Sequence, residues 1–297
     1  MCLFILIFSI SGCNKKYDNK LDLESLPGKI VLGTYSKRLQ EDYNGIIIFT
    51  PSLNTYDIEL DEIRASDPRF NNENTKIFAQ DENTVFEYDL GKKTVRELFK
   101  MEDSTYCLIR VVPNSRMISF TKMETLDGNL SENLYLFDTQ TKERRLLIEG
   151  VYGGYSWDKH GESLLFGSNV EESEQKFNQG VYKYDVESKT KTLMFEGYYP
   201  EYSKNNKYIA YKKRNAKNSV SFLVIREKDT GREWEYKQSA VRYYAFSPDD
   251  KYIALVQNST EYFNENYEIV LWDFKNSKVY KLIEKIDRGF TGDFDWK

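Results

Sequence analysis

One short phrase recurs along this chain, and a repeat constrains a fold more tightly than any other sequence feature. Phe246–Leu255 reads FSPDDKYIAL, and its outline returns as YSKNNKYIAY at Tyr202–Tyr211, WDKHGESLLF at Trp157–Phe166 and VVPNSRMISF at Val111–Phe120. Aligned on the residue that opens the phrase, Phe70, Val111, Trp157, Tyr202, Phe246 and Trp296 mark units spaced 41 to 50 residues apart. A period of that size signals a propeller or a solenoid. The order of strand signals inside one unit decides between them. In the unit of Phe246, a short first strand ends in Ala245-Phe246-Ser247 and a turn follows at Pro248-Asp249-Asp250. Then come Tyr252–Gln257, a longer loop, Tyr267–Phe274, a turn at Lys275-Asn276-Ser277, and Lys278–Glu284. Four strands per unit make a propeller blade.

The N-terminal part supplies only three strands of its blade, at Lys29–Tyr35, Gly45–Thr50 and Thr55–Leu60. The missing one stands at the other end of the chain, where Gly292–Lys297 (GDFDWK) matches the opening of a repeat with Trp296 in the place of Phe246. The sequence therefore predicts an all-β, six-bladed β-propeller over residues 28–297, with four-stranded antiparallel blades and the first blade completed by the C-terminal strand. Such closure leaves no unpaired sheet edge at the seam, and a monomeric propeller is expected. A chain of 297 residues could hold two ordinary domains, but six units consume nearly all of it. An aromatic content of 15%, with 23 Tyr and 18 Phe against 6 Pro, fits strands, where flat rings pack well on a pleated surface. The net charge of −5, with acids and bases interspersed, argues against a nucleic-acid partner, which would call for a basic face.

The first twenty residues read MCLFILIFSISGCNKKYDNK. Leu3–Ile10 is an apolar run too short to span a bilayer as a helix but suited to the hydrophobic region of a signal peptide. It ends in Ile10-Ser11-Gly12-Cys13, which resembles the bacterial lipobox. That resemblance implies cleavage after Gly12, a signal peptide at 1–12, a lipid on Cys13, and a tether at 13–27 leading to the propeller. The implied location is the bacterial cell envelope, with the lipid holding the protein to a membrane. The other reading of Leu3–Ile10, a buried N-terminal strand, is disfavoured by the polar run that follows at once.

Signals for catalysis are sparse. His160 is the single histidine and falls in a turn, Cys107 sits in the apolar run YCLIRVV, and no zinc pattern can be assembled from them. No nucleophile elbow, P-loop or dinucleotide fingerprint occurs. Asp89, Asp138, Asp185 and Asp273 each end the third strand of their own blade, so the chain holds these carboxylates apart, and capping of the next turn is their expected role. No catalytic residue, metal site or cofactor is assigned. Calcium held by loop oxygens stays open, because oxygen ligands leave no sharp spacing signature.

The phrase FSPDDKYIA at Phe246–Ala254 resembles the repeat of the TolB-like and related WD-type six-bladed propellers. The likeness is strongest at 246–255, fair at 157–166 and 202–211, and weak at 70–79 and 111–120. TolB itself carries a further α/β domain for which no segment is seen here, so the likeness is to the propeller module and does not extend to the Tol-system role.

In such a ring the tight turns share one face, while the inter-blade connections and the loops between second and third strands share the other. The long loops carry Tyr43, Phe177, Tyr262 and Phe263, and the inter-blade segments bring Tyr198, Tyr199, Arg242, Tyr243, Arg288 and Phe290 toward the mouth of the central channel. Exposed Tyr and Arg are the residue types that dominate interface energetics, although packing of some of these rings between blades is equally compatible with the sequence. The favoured reading is a non-enzymatic, lipid-anchored envelope protein whose loop face holds a protein or peptide. The alternatives are a hydrolase or lyase acting on glycans or peptides with loop carboxylates as acid and base, and a sensor of a small molecule in the channel. Replacing Cys13→Ala should move the protein from the membrane to the soluble fraction; retention in the membrane with an uncut N-terminus would contradict the lipobox reading.

Overall fold

The last strand of the chain pairs with its first. In the computed structural model, Gly289–Trp296 runs antiparallel to Ile30–Tyr35, with Ile30 opposite Trp296 and Leu32 opposite Phe294. Asn44–Thr50 and Thr55–Leu60 complete this sheet, and five further four-stranded sheets follow in chain order. The residues described are 21–35, 44–53, 55–60, 63, 65–101, 107–126, 129–169, 179–214, 221–238, 241–258, 267–286 and 289–297. The lipobox, with Cys13, lies outside them. We number the blades 1 to 6 from the seam. Their inner strands are Gly289–Trp296, Ser66–Phe70, Ile109–Val111, Tyr155–Trp157, Tyr198–Tyr202 and Val241–Phe246. The sequence expectation of six four-stranded blades with a shared first blade is borne out strand for strand.

Each blade is covered on both faces by its neighbours, which explains runs such as Ile30-Val31-Leu32 and Ile46-Ile47-Ile48-Phe49. Side chains alternate across a strand, and here both sides are buried. Ile30, Leu32 and Phe49 pack with Ala245, Ala254 and Leu271 of blade 6, while Val31, Ile46 and Ile48 pack with Phe70, Ile77 and Phe86 of blade 2. The hydrophobic interior is accordingly six wedges, one per blade interface, and the wedge between blades 1 and 6 is as apolar as the rest. Cys107 is fully buried in the wedge between blades 2 and 3, as expected of a small hydrophobe.

The recurring aspartates cap their turns. Asp89 accepts from the amides of Gly91 at 3.0 Å and Lys92 at 2.9 Å, Asp138 from Gln140 at 2.8 Å and Thr141 at 3.0 Å. Asp185 accepts from Ser188 at 2.9 Å and Asp273 from Asn276 at 3.1 Å. These amide bonds favour the charged carboxylate, and they are the leading reason that Asp89, Asp138 and Asp185 sit below the usual range.

Residues 21–27, read from the sequence as the end of a tether, are seated on the ring. Leu26 is buried against Trp296 and the blade 1–6 wedge, with Leu21 and Leu23 packed beside it. The Trp296 indole N–H donates to the Pro27 carbonyl at 2.8 Å, and Lys29 and Lys297 exchange backbone hydrogen bonds. Gly28 between them has φ +79°, and a Cβ there would stand 2.4 Å from the Lys297 carbonyl oxygen, so only glycine fits. The tether signal was polarity, and three spaced leucines were too weak a pattern to outweigh it.

Trp296 therefore joins the seam, the N-terminal segment and a wedge. Trp296→Ala should cost about 3–5 kcal/mol in urea unfolding. A loss below about 1 kcal/mol would contradict closure through the last strand.

Candidate functional site in the central channel

Inner strands enter from the inter-blade connections and leave into the tight turns, so their first residues lie toward the loop face. Stacking the repeats puts Asp67, Leu108, Gly154, Tyr199, Tyr243 and Asp293 at one level, three residues before each phrase. One level closer to the tight turns, immediately before each phrase, stand Arg69, Arg110, Ser156, Glu201, Ala245 and Asp295. Four of the inner strands shift register near their starts, between Ser66 and Arg69, Tyr198 and Glu201, Val241 and Tyr243, and opposite Leu32 and Thr34. A bulge re-aims a side chain that a regular strand would send into a blade interface.

Two arginines and two aspartates form a buried ion network beside the seam. The Arg69 guanidinium donates to Asp67 at 2.8 Å, to Asp293 at 2.5 Å, to the Ile109 carbonyl at 3.3 Å and to the Phe294 carbonyl. Arg110 donates to Asp67 at 3.2 Å and to Asp293 at 2.8 Å. Asp67 also accepts from the Ile109 amide, and its own backbone is left-handed at φ 52°. Burial alone would raise the Asp293 carboxyl, but the two guanidiniums hold it below the usual range. On the turn side, Asp295 accepts from the Phe70 amide at 3.2 Å and from the Lys204 ammonium at 3.3 Å. Ser156 accepts from the Tyr202 amide in the same way, one blade reaching for the next.

Two cavities adjoin the network. The loop-side cavity, about 340 Å3, is lined by Arg110, Tyr155, Tyr199, Glu201, Lys212, Arg242, Tyr243, Tyr244 and Asp293, among others. The turn-side cavity, about 310 Å3, is lined by Arg69, Asn114, Asp158, Lys159, Lys204, Asn206, Asp295 and Lys297. Arg110 and Glu201 face both. Among the described residues, Glu201 has no hydrogen bond or ion pair, and burial together with the nearby Asp293 charge pushes its carboxyl up to about 7. Lys212 donates to the Arg242 carbonyl at 2.8 Å and lies 4.8 Å from the Tyr199 ring centre; burial brings its ammonium down to about 8.

Tyr199 is the most exposed of the tyrosines that line the loop-side cavity. It keeps 44% of its surface exposed although its backbone is left-handed at φ 52°, a costly conformation for an aromatic residue. The Tyr244 hydroxyl donates to its carbonyl and its amide donates to the Gly153 carbonyl. A Cβ on Gly154 would meet the Tyr199 ring at 2.8 Å, so the glycine leaves the space that the ring occupies.

Of the sequence-derived candidates, the structure brings Tyr199, Arg242 and Tyr243 together on the loop-side cavity. Tyr198 stands beside them, its ring 5.5 Å from that of Tyr199 and its hydroxyl bonded to Ser221, without lining the cavity. Phe290 pairs with Thr34 through its backbone, and its side chain lies outside the described residues. Tyr43, Phe177, Tyr262, Phe263 and Arg288 lie outside them too. His160 is exposed in its turn, and no cluster of three or more metal-ligand side chains occurs among the described residues. Sequence reasoning missed Asp67, Arg69, Arg110, Glu201, Lys212 and Asp293. The signal for five of them was present in the two levels of the repeat alignment, which were read along the chain rather than across it.

The tight-turn residues are more than local turn formers. Asp249 does accept from the Lys251 amide two residues on, at 3.2 Å. Asp250, however, is buried and accepts from the amides of Lys204 at 2.7 Å and Asn205 at 2.9 Å in the neighbouring blade, and Asn206 accepts from the Lys159 amide at 3.1 Å. These bonds stitch the blades on the turn face.

No protein-family model matches this chain, and no curated protein matches it. Solved structures do. TolB from Acinetobacter baumannii aligns with a TM-score of 0.67 at 13% identity, over 90% of this chain and 68% of that one. A putative TolB from Agrobacterium tumefaciens aligns at 0.63 and 11% identity, over 86% and 89%. A chain of a nidogen/laminin complex aligns at 0.64 and 10% identity, over 91% and 98%. At these identities the likeness is one of fold: the chain has the six-bladed architecture of TolB-like propellers.

A carboxyl titrating near 7 in the folded protein and near 4.5 in the unfolded chain binds its proton more tightly when folded, so stability falls as pH rises through that window. Glu201→Gln should therefore stabilise the protein at pH 8, by on the order of 2 kcal/mol, and leave it unchanged near pH 4. Urea unfolding at both pH values checks this; an equal effect at both would contradict it.

Proposed function

We propose that this protein is a non-enzymatic binding protein of the bacterial cell envelope, anchored by a lipid on Cys13, whose loop face holds a protein or peptide partner. The observation that carries the binding reading is Tyr199, a large ring kept exposed at the channel mouth by a left-handed backbone and a glycine cradle. Strain of that kind persists where the surrounding structure enforces it, and it concentrates at binding sites. Tyr243 and the exposed Arg242 flank it, giving the aromatic and guanidinium composition that dominates interface energies. The carboxylates Asp67 and Asp293, which acid–base catalysis would need to be available, are instead held by Arg69 and Arg110. That pairing takes Asp293, though not Glu201, out of acid–base use in the loop-side cavity.

A combined Tyr199→Ala, Arg242→Ala, Tyr243→Ala variant should lose partners crosslinked in the native membrane while keeping its circular dichroism spectrum. With truncated aromatic anchors contributing about 2 kcal/mol or more each, the affinity loss should be at least about a hundredfold. Because Asp250 and Lys204 bind the neighbouring blade and the seam, the control is placed on outer strands, at Lys191→Ala and Glu235→Ala, which should bind normally. Unchanged partner recovery with the triple variant would sink the loop-face assignment.

A further inference from the structure

Two opposite charges line the loop-side cavity without pairing with each other. Among the described residues, the Glu201 carboxyl has no hydrogen bond or ion pair and feels Lys204, Arg69 and Arg110 only at longer range, and Lys212 has a carbonyl and a tyrosine ring as its partners but no carboxylate within ion-pair distance, Asp293 acting on it from farther off. The other charges of the inner channel behave differently, since Arg69, Arg110, Asp67 and Asp293 neutralise one another and Lys204 holds Asp295. A charge set apart from water is costly unless it meets its complement. In this cavity one carboxyl and one ammonium, both partly buried, are left without a contacting partner of opposite charge among the described residues, on adjacent strands whose residues Glu201 and Ala210, and Tyr198 and Lys212, face each other across the ladder.

Four tyrosines share the cavity with the two groups. Tyr155, Tyr199, Tyr243 and Tyr244 line the cavity, and its volume of about 340 Å3 falls at the small end of the range for ligand sites. An anion alone would leave Glu201 uncompensated, and a cation alone would leave Lys212 so. A molecule carrying both charges a few bonds apart satisfies both, and an apolar substituent on it would lie against the tyrosine rings.

We infer that the loop-side cavity binds a zwitterionic small molecule of the α-amino-acid type, its ammonium on Glu201, its carboxylate on Lys212, and its side chain against Tyr199 and Tyr243. This site goes beyond the capture of a protein partner by the loop face and is tested with the purified protein alone, so its failure leaves that reading untouched. Tyr199 belongs both to this cavity and to the exposed loop face.

Isothermal titration calorimetry of the full chain with L-phenylalanine and L-leucine tests the site, with phenylacetate and phenethylamine as single-charge controls. At least one amino acid should bind within about 10 mM, and each control should bind at least about tenfold more weakly than L-phenylalanine where that is the binder. Glu201→Gln should reduce amino-acid binding and erase the preference over phenylacetate; Lys212→Met should erase the preference over phenethylamine. Both changes are close in size to the native residue, and the altered preference is readable even where stability changes. Absence of binding by either amino acid, or equal binding of L-phenylalanine and phenylacetate to the native protein, would overturn the inference.

Discussion

The guanidinium of Arg69 touches three blades at once. It starts from blade 2, donates to its own Asp67, reaches the Ile109 carbonyl of blade 3, and holds both Asp293 and the Phe294 carbonyl of the seam strand. A ring of blades has this problem at its axis: inner strands are short and diverge from their neighbours, so their inner edges cannot satisfy one another by a continuous ladder. Side chains must reach across, and a planar fork of five donors suits the task. A buried ion pair of this sort is weak evidence of net stability, but removing one partner strands the other and typically costs about 3–5 kcal/mol. Its contribution is to fix which strand closes the ring and in what register.

The remaining architecture follows from that closure. Once the seam strand is in place, Phe294 and Trp296 complete the wedge between blades 1 and 6, and Trp296 gathers Pro27 and Leu26 onto the ring. The network also adjoins both channel cavities, a turn-side cavity crossed by blade-stitching bonds and a loop-side cavity whose mouth carries Tyr199, Arg242 and Tyr243. Bulges near the starts of inner strands turn polar side chains inward at the cost of regular pairing. Structural and functional demands thus meet on the same short strands, which is why charge at the axis divides into pairs that hold the ring and groups left facing the cavity.

Most of the fold was legible in the sequence, because a propeller repeats its pattern. Phe246–Leu255 and its echoes marked the strands, the stray GDFDWK marked the seam, and Asp89, Asp138, Asp185 and Asp273 marked turns that they do cap. The site was legible only in part. Tyr199, Arg242 and Tyr243 were singled out by their residue type and position between blades, and the structure places all three on the loop-side cavity. Arg69 and Glu201 were not, since each is one polar residue before an aromatic one and looks like ordinary strand alternation. Their meaning appears only when six units are stacked and one level turns out to hold four charged side chains. Lys212 was beyond reach, because a second-strand lysine is normally solvated and its place in the cavity depends on the bulge opposite it. Leu21, Leu23 and Leu26 were hidden by the polar residues around them.

Amide hydrogen exchange, read strand by strand, tests the central claim that Arg69 holds the seam closed at the axis. In the native protein, the seam amides of Ile30–Tyr35 and Gly289–Trp296 should exchange as slowly as those of Ser163–Asn169 in blade 4. In Arg69→Met, the account predicts that the seam amides lose protection first, by about a hundredfold or more, while Ser163–Asn169 stays protected until the whole ring unfolds. Equal loss across all blades, or a seam that keeps its native protection in the variant, would contradict it.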